Sequence, residues 1–524
     1  MFKIKNLLYV LLLSFILVLG ACGSDDAAQD SEDNSTTVSA DEAEEGTEEE
    51  EQETDEETDA AEEDEAEEDG ATALYGTLTL DKTEGRIGDT VQLTAEDLLP
   101  EEDLTVVYVD MDGDFELGED NYSFMGPVYQ EVEKEVGEGT ADEDGNWSGE
   151  ITIPEGFGDD HDIIIYQGDT RAAKANFFVE TVFSISPESG PVGTEIEIIG
   201  EGLSWKMFGS TWHVNYDNAY MGLLTAISTD GTAKANIRAA GKEGLHTLTI
   251  ESGASGAPYL SRGSSAINYI STQNFTFEIT DGEPEDEMYY VEETPDAASG
   301  GIDLPEPENQ DGVEISLDKE TGIVDEAVVL SGSGLPENAE VTFDWHTMRG
   351  NRVTAAGFGP HIIDLGSVTT DENGEFTFDF DVPDDLGGLE HLIDIKVDDE
   401  IYGQTYFRIL PSIVSIEPAE GPPGTPFTIT IKGSGWTEFD NALGVTYDNA
   451  YVGYVCAFES QGTLTIPLVA SGDPGYHLVD IYPSIYQGQR ELPDIYRKPQ
   501  LTYQEDHPGT GVPAIRTFFK VTEE

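Results

Sequence analysis

Only two cysteines stand among the 524 residues, Cys22 and Cys456, so the domains must be held by apolar cores rather than by a disulfide framework. Basic residues are nearly as scarce. Lys and Arg number 23 against 109 Asp and Glu, a net charge of −86. A surface this negative repels phosphate backbones and anionic headgroups, which excludes nucleic acid and an anionic bilayer face as partners. Beyond Leu19 no stretch approaches the ~20 apolar residues that cross a bilayer. Catalytic signatures are missing too: there is no Gly-x-Ser-x-Gly with its partners, no phosphate loop and no His-Glu-x-x-His. Acidic pairs abound, but in so acidic a chain they carry no weight as glycosidase carboxylates. The expectation is a protein that is not an enzyme.

What the chain does have is repetition. Tyr-Asp-Asn-Ala-Tyr occurs at Tyr216–Tyr220 and again at Tyr447–Tyr451, an offset of 231 residues that also relates Pro187 to Pro418, Gly193 to Gly424 and His246 to His477. A constant offset places the net length variation outside this stretch, as expected for the packed body of a domain. A second module is repeated less regularly. Leu93 matches Leu330 at an offset of 237, and Pro154 matches Pro383 at 229, so the length difference falls in the hairpin between them.

The N-terminus carries an address. Lys3 and Lys5 precede an apolar run from Leu7 to Leu19 broken only by Ser14, and Gly20-Ala21-Cys22 follows. This is a signal peptide, residues 1–21. A cysteine directly after small residues resembles the lipobox of bacterial lipoproteins, and that resemblance implies lipidation of Cys22. Several acyl chains, at ~0.8 kcal/mol per buried methylene, anchor a protein stably. The membrane is then contacted through the lipid alone, and the chain lies at the cell surface, outside the cytoplasm. With Cys22 so modified, Cys456 has no disulfide partner and reads as a buried, inert thiol. Residues 22–73 contain about 25 acidic side chains between Asp25 and Asp69 and almost nothing apolar. They read as a disordered acidic tether.

From Leu74 onward, short alternating runs are punctuated by Gly, Asp and Pro, with no convincing amphipathic helix between them. The fold class is all-β: four tandem immunoglobulin-like sandwiches, here A1 (74–180), B1 (181–280), A2 (312–410) and B2 (411–524), with an acidic, proline-rich linker at 281–311. Asp112-Gly113 and Asp144-Gly145 are read as turns. Ser186-Pro187-Glu188-Ser189-Gly190-Pro191-Val192-Gly193-Thr194, repeated as Glu417-Pro418-Ala419-Glu420-Gly421-Pro422-Pro423-Gly424-Thr425, resembles the opening of IPT/TIG domains. That family serves as binding units, spacers and enzyme appendages alike, so the resemblance speaks for fold more than function. The A-B, linker, A-B order suggests a rod with one flexible joint.

Three features are candidate sites. The repeated phrase is a hairpin whose tyrosines either pack inward or form an aromatic platform, with Tyr216, Asp217, Asn218 and Tyr220, and Tyr447, Asp448, Asn449 and Tyr451, set to stack on and hydrogen-bond a sugar. The late insertion of B2 (Tyr486, Arg490, Tyr496, Arg497) gathers tyrosines with basic residues, suited to an acidic or carbohydrate ligand or else a loop folded onto its own domain. Asp110, Asp112, Asp114 and Glu116 alternate as in a calcium loop, although the glycine is misplaced for an EF-hand, so structural calcium is the one cofactor suggested. His161, His246, His391 and His477 occupy one equivalent place in the four domains, which points to a shared structural hydrogen bond rather than a metal site.

The function expected is non-catalytic binding or adhesion at the envelope, to polysaccharide or a surface protein. The alternative is a structural spacer or surface-layer component. Acidity spread over the folded part also implies self-repulsion that salt relieves. The melting temperature is expected to rise between dilute and molar NaCl, and a flat or falling profile in a thermal scan would refute this.

Overall fold

Strands form where apolar residues alternate. Val91, Leu93 and Ala95 of strand Thr90–Glu96 point inward while their neighbours face water, and Phe427, Ile429 and Ile431 do the same in Pro426–Lys432. Fully burying such a side chain stabilises by roughly 1.5–3 kcal/mol. The computed structural model describes residues 74–120, 123–253, 258–261, 271–282, 287–294, 304–351, 357–457, 461–485, 497–509 and 511–523. The signal segment, Cys22, the tether, Tyr486, Arg490 and Tyr496 lie outside the described residues. Among those described there are strands and turns but no α-helix.

All four domains share one topology. In A1, the strands Thr77–Leu80, Thr90–Glu96 and Trp147–Thr152 form a three-stranded sheet. The facing sheet runs Glu84–Gly85, Thr170–Val179, Asp159–Gln167, Asp103–Leu117, Phe124–Thr140 in spatial order. The two-residue strand Glu84–Gly85 crosses from the first sheet to pair in parallel with the last strand, and the same crossover recurs in B1, A2 and B2. B1 and B2 also share a cis proline at matching places, Ser186-Pro187 and Glu417-Pro418.

The sandwiches depart from independent beads. Asp112 and Gly113 do not turn the chain; they lie inside the 15-residue strand Asp103–Leu117, and the hairpin reverses after Gly118. The reason is tertiary. The far half of this hairpin leaves its own sandwich, and Phe115 and Phe124 pack with Leu223 and Ile227 of B1 and Ile485 of B2. A Cβ on Gly113 would stand 2.3 Å from the carbonyl oxygen of Ile227, so glycine is required there for close backbone approach.

B1 and B2 are joined more deeply. Tyr482, Leu501, Tyr503 and Ala514 of B2 belong to the same buried cluster as Trp212, Val214 and Leu248 of B1. Residues 499–501 run beside strand Ala219–Leu224, with Leu223 N–H donating to Pro499 O at 2.9 Å and Leu501 N–H to Leu223 O at 2.8 Å. The late insertion of B2 therefore lies, where described, between the two domains: Arg497 N–H donates to Ile485 O at 2.8 Å and Gln500 N–H to Pro483 O at 3.0 Å within B2, while Pro499 and Leu501 bond to B1. The linker is likewise no free joint. Tyr290–Val291 adds a strand to the larger sheet of B2 by pairing with Ile515 and Arg516, and Met288 is buried with Ala240 of B1 and Leu478 of B2.

Where these three segments meet lie four charges, Arg238, Asp480 and Arg516 buried and Glu292 partly so. The Arg238 guanidinium donates through Nε and Nη2 to the Asp480 carboxylate, and also to Met288 O at 3.0 Å and Thr517 O at 2.8 Å. Arg516 donates to Glu292 Oε1 at 2.6 Å, to the Tyr482 hydroxyl at 2.7 Å and to Asn236 O at 3.1 Å. Asp480 Oδ2 lies 3.5 Å from Arg516, and Asn449 Nδ2 donates to Arg238 O. Two cations face two anions, and most donors find oxygens. Asp480→Ala would leave two buried guanidiniums to one carboxylate. Such a loss costs about 3–5 kcal/mol, expected as a drop in urea-unfolding stability; a change below ~1 kcal/mol would mean that the cluster does not clamp the domains.

Candidate functional site

The repeated phrase is a hairpin in both B domains. Strand Trp212–Tyr216 turns through Asp217 and Asn218 (φ 49° and 65°) into Ala219–Leu224, and Ala442–Tyr447 turns through Asp448 and Asn449 (φ 48° and 62°) into Ala450–Cys456. Both turn residues have positive φ, the type I′ geometry that Asp and Asn tolerate. The tyrosines do not make an exposed platform. Tyr216 is buried and its hydroxyl donates to Ala240 O at 2.9 Å; Tyr447 donates to Ser471 O at 2.8 Å, the same bond 231 residues on. Tyr220 and Tyr451 meet edge to face across the B1–B2 contact, ring centroids 6.2 Å apart. Lys498 Nζ lies 5.6 Å from the centre of the Tyr220 ring. The Tyr451 hydroxyl donates to Arg497 O. Burial pushes the Tyr220 hydroxyl far up and that of Tyr451 up to about 12. Asn218 is exposed whereas Asn449 is buried, so the two copies have diverged where the partner domain presses on only one.

The aspartates of the phrase serve the histidines. Asp217 Oδ2 is 2.6 Å from His246 Nδ1, and Asp448 Oδ2 is 2.6 Å from His477 Nδ1; each ring's Nε2 faces a carbonyl oxygen, Lys242 O at 2.7 Å and Asp473 O at 2.8 Å. In the A domains the carboxylate is replaced by a strand carbonyl. His161 lies between Val109 O and Phe157 O, both at 2.9 Å, and His391 between His346 O and Leu386 O, at 2.8 and 2.7 Å. Each histidine also stacks on an aromatic ring of the adjacent strand: Tyr108, Tyr216, Trp345 or Tyr447, with centroids 4.4 to 5.6 Å apart and planes within 24°. Sequence offsets had located the histidines, but the aromatic partner was missed because it is Tyr in A1, B1 and B2 and Trp in A2.

The four carboxylates proposed for calcium do not converge. Asp110, Asp112, Asp114 and Glu116 lie along one extended strand, where residues two apart are about 7 Å distant, too far to share an ion as a loop would. Asp110 is buried and paired with Lys134 Nζ at 2.7 Å, while the other three are exposed. Among the described residues no cluster of three His, Cys, Asp or Glu side chains could hold a metal. Cys456 is half-buried at the end of an edge strand.

Sequence reasoning also missed a cleft of about 700 Å³ between the linker strap, A2 and B2. Tyr289, Glu293, Thr321, Arg408, Ser412 and Pro513 line it. Nothing local could signal it, since its walls come from three segments separated in the chain.

The fourth domain is an IPT/TIG domain: residues 411–481 match that family. No curated protein matches the chain in sequence. Among solved structures, it is similar to Salmonella alpha-2-macroglobulin reacted with methylamine, at 9% identity over 80% of this chain and 30% of that one, with a TM-score of 0.17. The ICAM-5 D1–D4 ectodomain fragment matches at 10% identity over 85% of this chain and 100% of that one, with a TM-score of 0.17. A Corynebacterium diphtheriae protein described as membrane anchored matches at 10% identity over 64% and 89%, with a TM-score of 0.16. The chain thus spans less than a third of the macroglobulin's length. Among the described residues no helix is long and apolar enough to cross a membrane.

A neutral imidazole donates from one nitrogen only, so oxygens at both positions suit the protonated ring. For His477, burial alone would lower the pKa, but the hydrogen bonds to Asp448 and to the Asp473 carbonyl, with the charges of both carboxylates, outweigh it and raise the value above the ordinary 6.5. A raised folded-state pKa means that this contact's stabilisation is complete below pH 6.5 and is lost as pH rises through the folded value. His477→Gln should flatten that part of the curve of melting temperature against pH. An unchanged slope would show that the ring does not titrate there.

Proposed function

We propose that this chain is a non-catalytic surface lipoprotein, anchored through Cys22, that binds envelope polysaccharide or a surface protein. The cleft beside the strap carries this reading. It combines aromatic walls, hydroxyls and a cation in a concavity of about 700 Å³, within the size range of small-ligand sites. The binding face is thereby moved from the repeated tyrosines to a junction of domains. A second reading, a structural spacer without a ligand, is favoured by one observation: Tyr216, Tyr220, Tyr447 and Tyr451 are engaged in packing and in the contact between B1 and B2.

The two readings are separated by incubating the purified full-length chain with envelope polysaccharide and with intact cells, at low and high salt, with and without calcium. Saturable retention is expected. Absence of retention under every condition, by protein that circular dichroism shows to be folded, would remove the binding function and leave the spacer.

A further inference from the structure

We propose that the cleft between the strap, A2 and B2 is an anion site, organised by Arg408, for the carboxylate or phosphate group of an acidic sugar. The inference rests on the binding function above and gives it a ligand class.

Arg408 is the penultimate residue of strand Glu400–Ile409, the last strand of A2. Its side chain reaches B2, where Nη2 donates to Gly511 O at 2.5 Å. Its Nε is buried and unpaired, and among the described residues no carboxylate lies within ion-pair distance of the guanidinium. That is unusual here. Arg238, Arg349 and Arg516 each hold a carboxylate, and acidic side chains outnumber basic ones by 109 to 23. Among the described residues, then, this cation stands clear of the chain's own carboxylates. Burial lowers its pKa, against the pull of the more distant Glu390 and Asp440, as expected for a charge short of both water and counterion. The planar guanidinium fork suits carboxylate and phosphate oxygens alike.

The rest of the cleft suits a sugar ring. Tyr289, 37% exposed, and Tyr290 supply aromatic surface beside Ile323 and Pro513, and Thr321 and Ser412 supply hydroxyls. Of the two acidic residues in the lining, Glu292 is already held by Arg516 and Tyr503. Glu293 is exposed and repels an anion from the strap side, leaving Arg408 as the place for the ligand's charge. Because the whole chain repels anions over distances that salt screens, while the sheltered contact at Arg408 is screened less, binding should strengthen from dilute to moderate salt.

The test is calorimetric titration of the full-length chain with trigalacturonate, glucose 6-phosphate and neutral maltotriose at 0.15 M NaCl or above. Wild type is expected to bind at least one of the two anionic sugars, which identifies the source of the anion, and not maltotriose. Arg408→Gln should weaken that binding at least tenfold with an unchanged melting temperature. Tyr289→Ala, at an exposed position that does not hold the fold, should weaken it several-fold and serves if the Arg408 variant fails to fold. Equal affinity in both variants, equal binding of maltotriose, or no binding of either anionic sugar by folded wild type would overturn the proposal. If wild type and Arg408→Gln retain envelope polysaccharide equally, the anion site fails while the binding function stands.

Discussion

The described part of the molecule depends on a cluster of four charges, three of them buried and the fourth, Glu292, partly so. Arg238, Asp480, Arg516 and Glu292 come from B1, B2 and the linker strap, so the cluster exists only when all three are together. Buried ions are costly unless their attraction and hydrogen bonds are complete. Here most of the donors reach carboxylate, carbonyl or hydroxyl oxygens. An incomplete assembly strands a charge in an apolar setting, which makes joining B1 to B2 close to all-or-none. The apolar packing follows the same logic: B1's core includes Tyr482, Leu501, Tyr503 and Ala514 of its partner domain, and Phe115 and Phe124 bring A1 into the same contact.

Duplication explains the parts and divergence explains the assembly. All four domains keep the crossover strand and the stacked histidine, features that act within one sandwich. What differs lies where domains meet. Asn449 is buried and bonded to B1 while Asn218 faces solvent, and the segment 499–501 of B2 lies along B1. Two copies of one module have thus become unequal halves of a joint body. The cleft at Arg408 belongs to a further junction of this kind, where A2, B2 and the strap leave a space that none of them encloses alone.

Much of the fold was legible because its signals are local. Alternation in Thr90–Glu96 and Pro426–Lys432 reports strands directly, and Asp-Asn turns with positive φ were readable from two residues. Asp112-Gly113 misled for the opposite reason. Its turn-like composition serves close approach to Ile227 of another domain, a demand invisible within one segment. The alternating carboxylates from Asp110 to Glu116 resembled a loop only while the strand containing them was unseen. The repeated tyrosines posed a choice between platform and packing, and the partner domain settled it.

The sequence by itself determined the all-β class, the duplicated modules and the equivalent place of four histidines, because each follows from periodicity, turn chemistry or constant offset along the chain. Only the tertiary structure decided that B1 and B2 share a core, that residues 290–291 of the linker join the sheet of B2, and that Arg408 has no carboxylate partner among the described residues. Those outcomes depend on which surfaces exclude water together, and burial is a property of assembled surfaces rather than of any one stretch of chain.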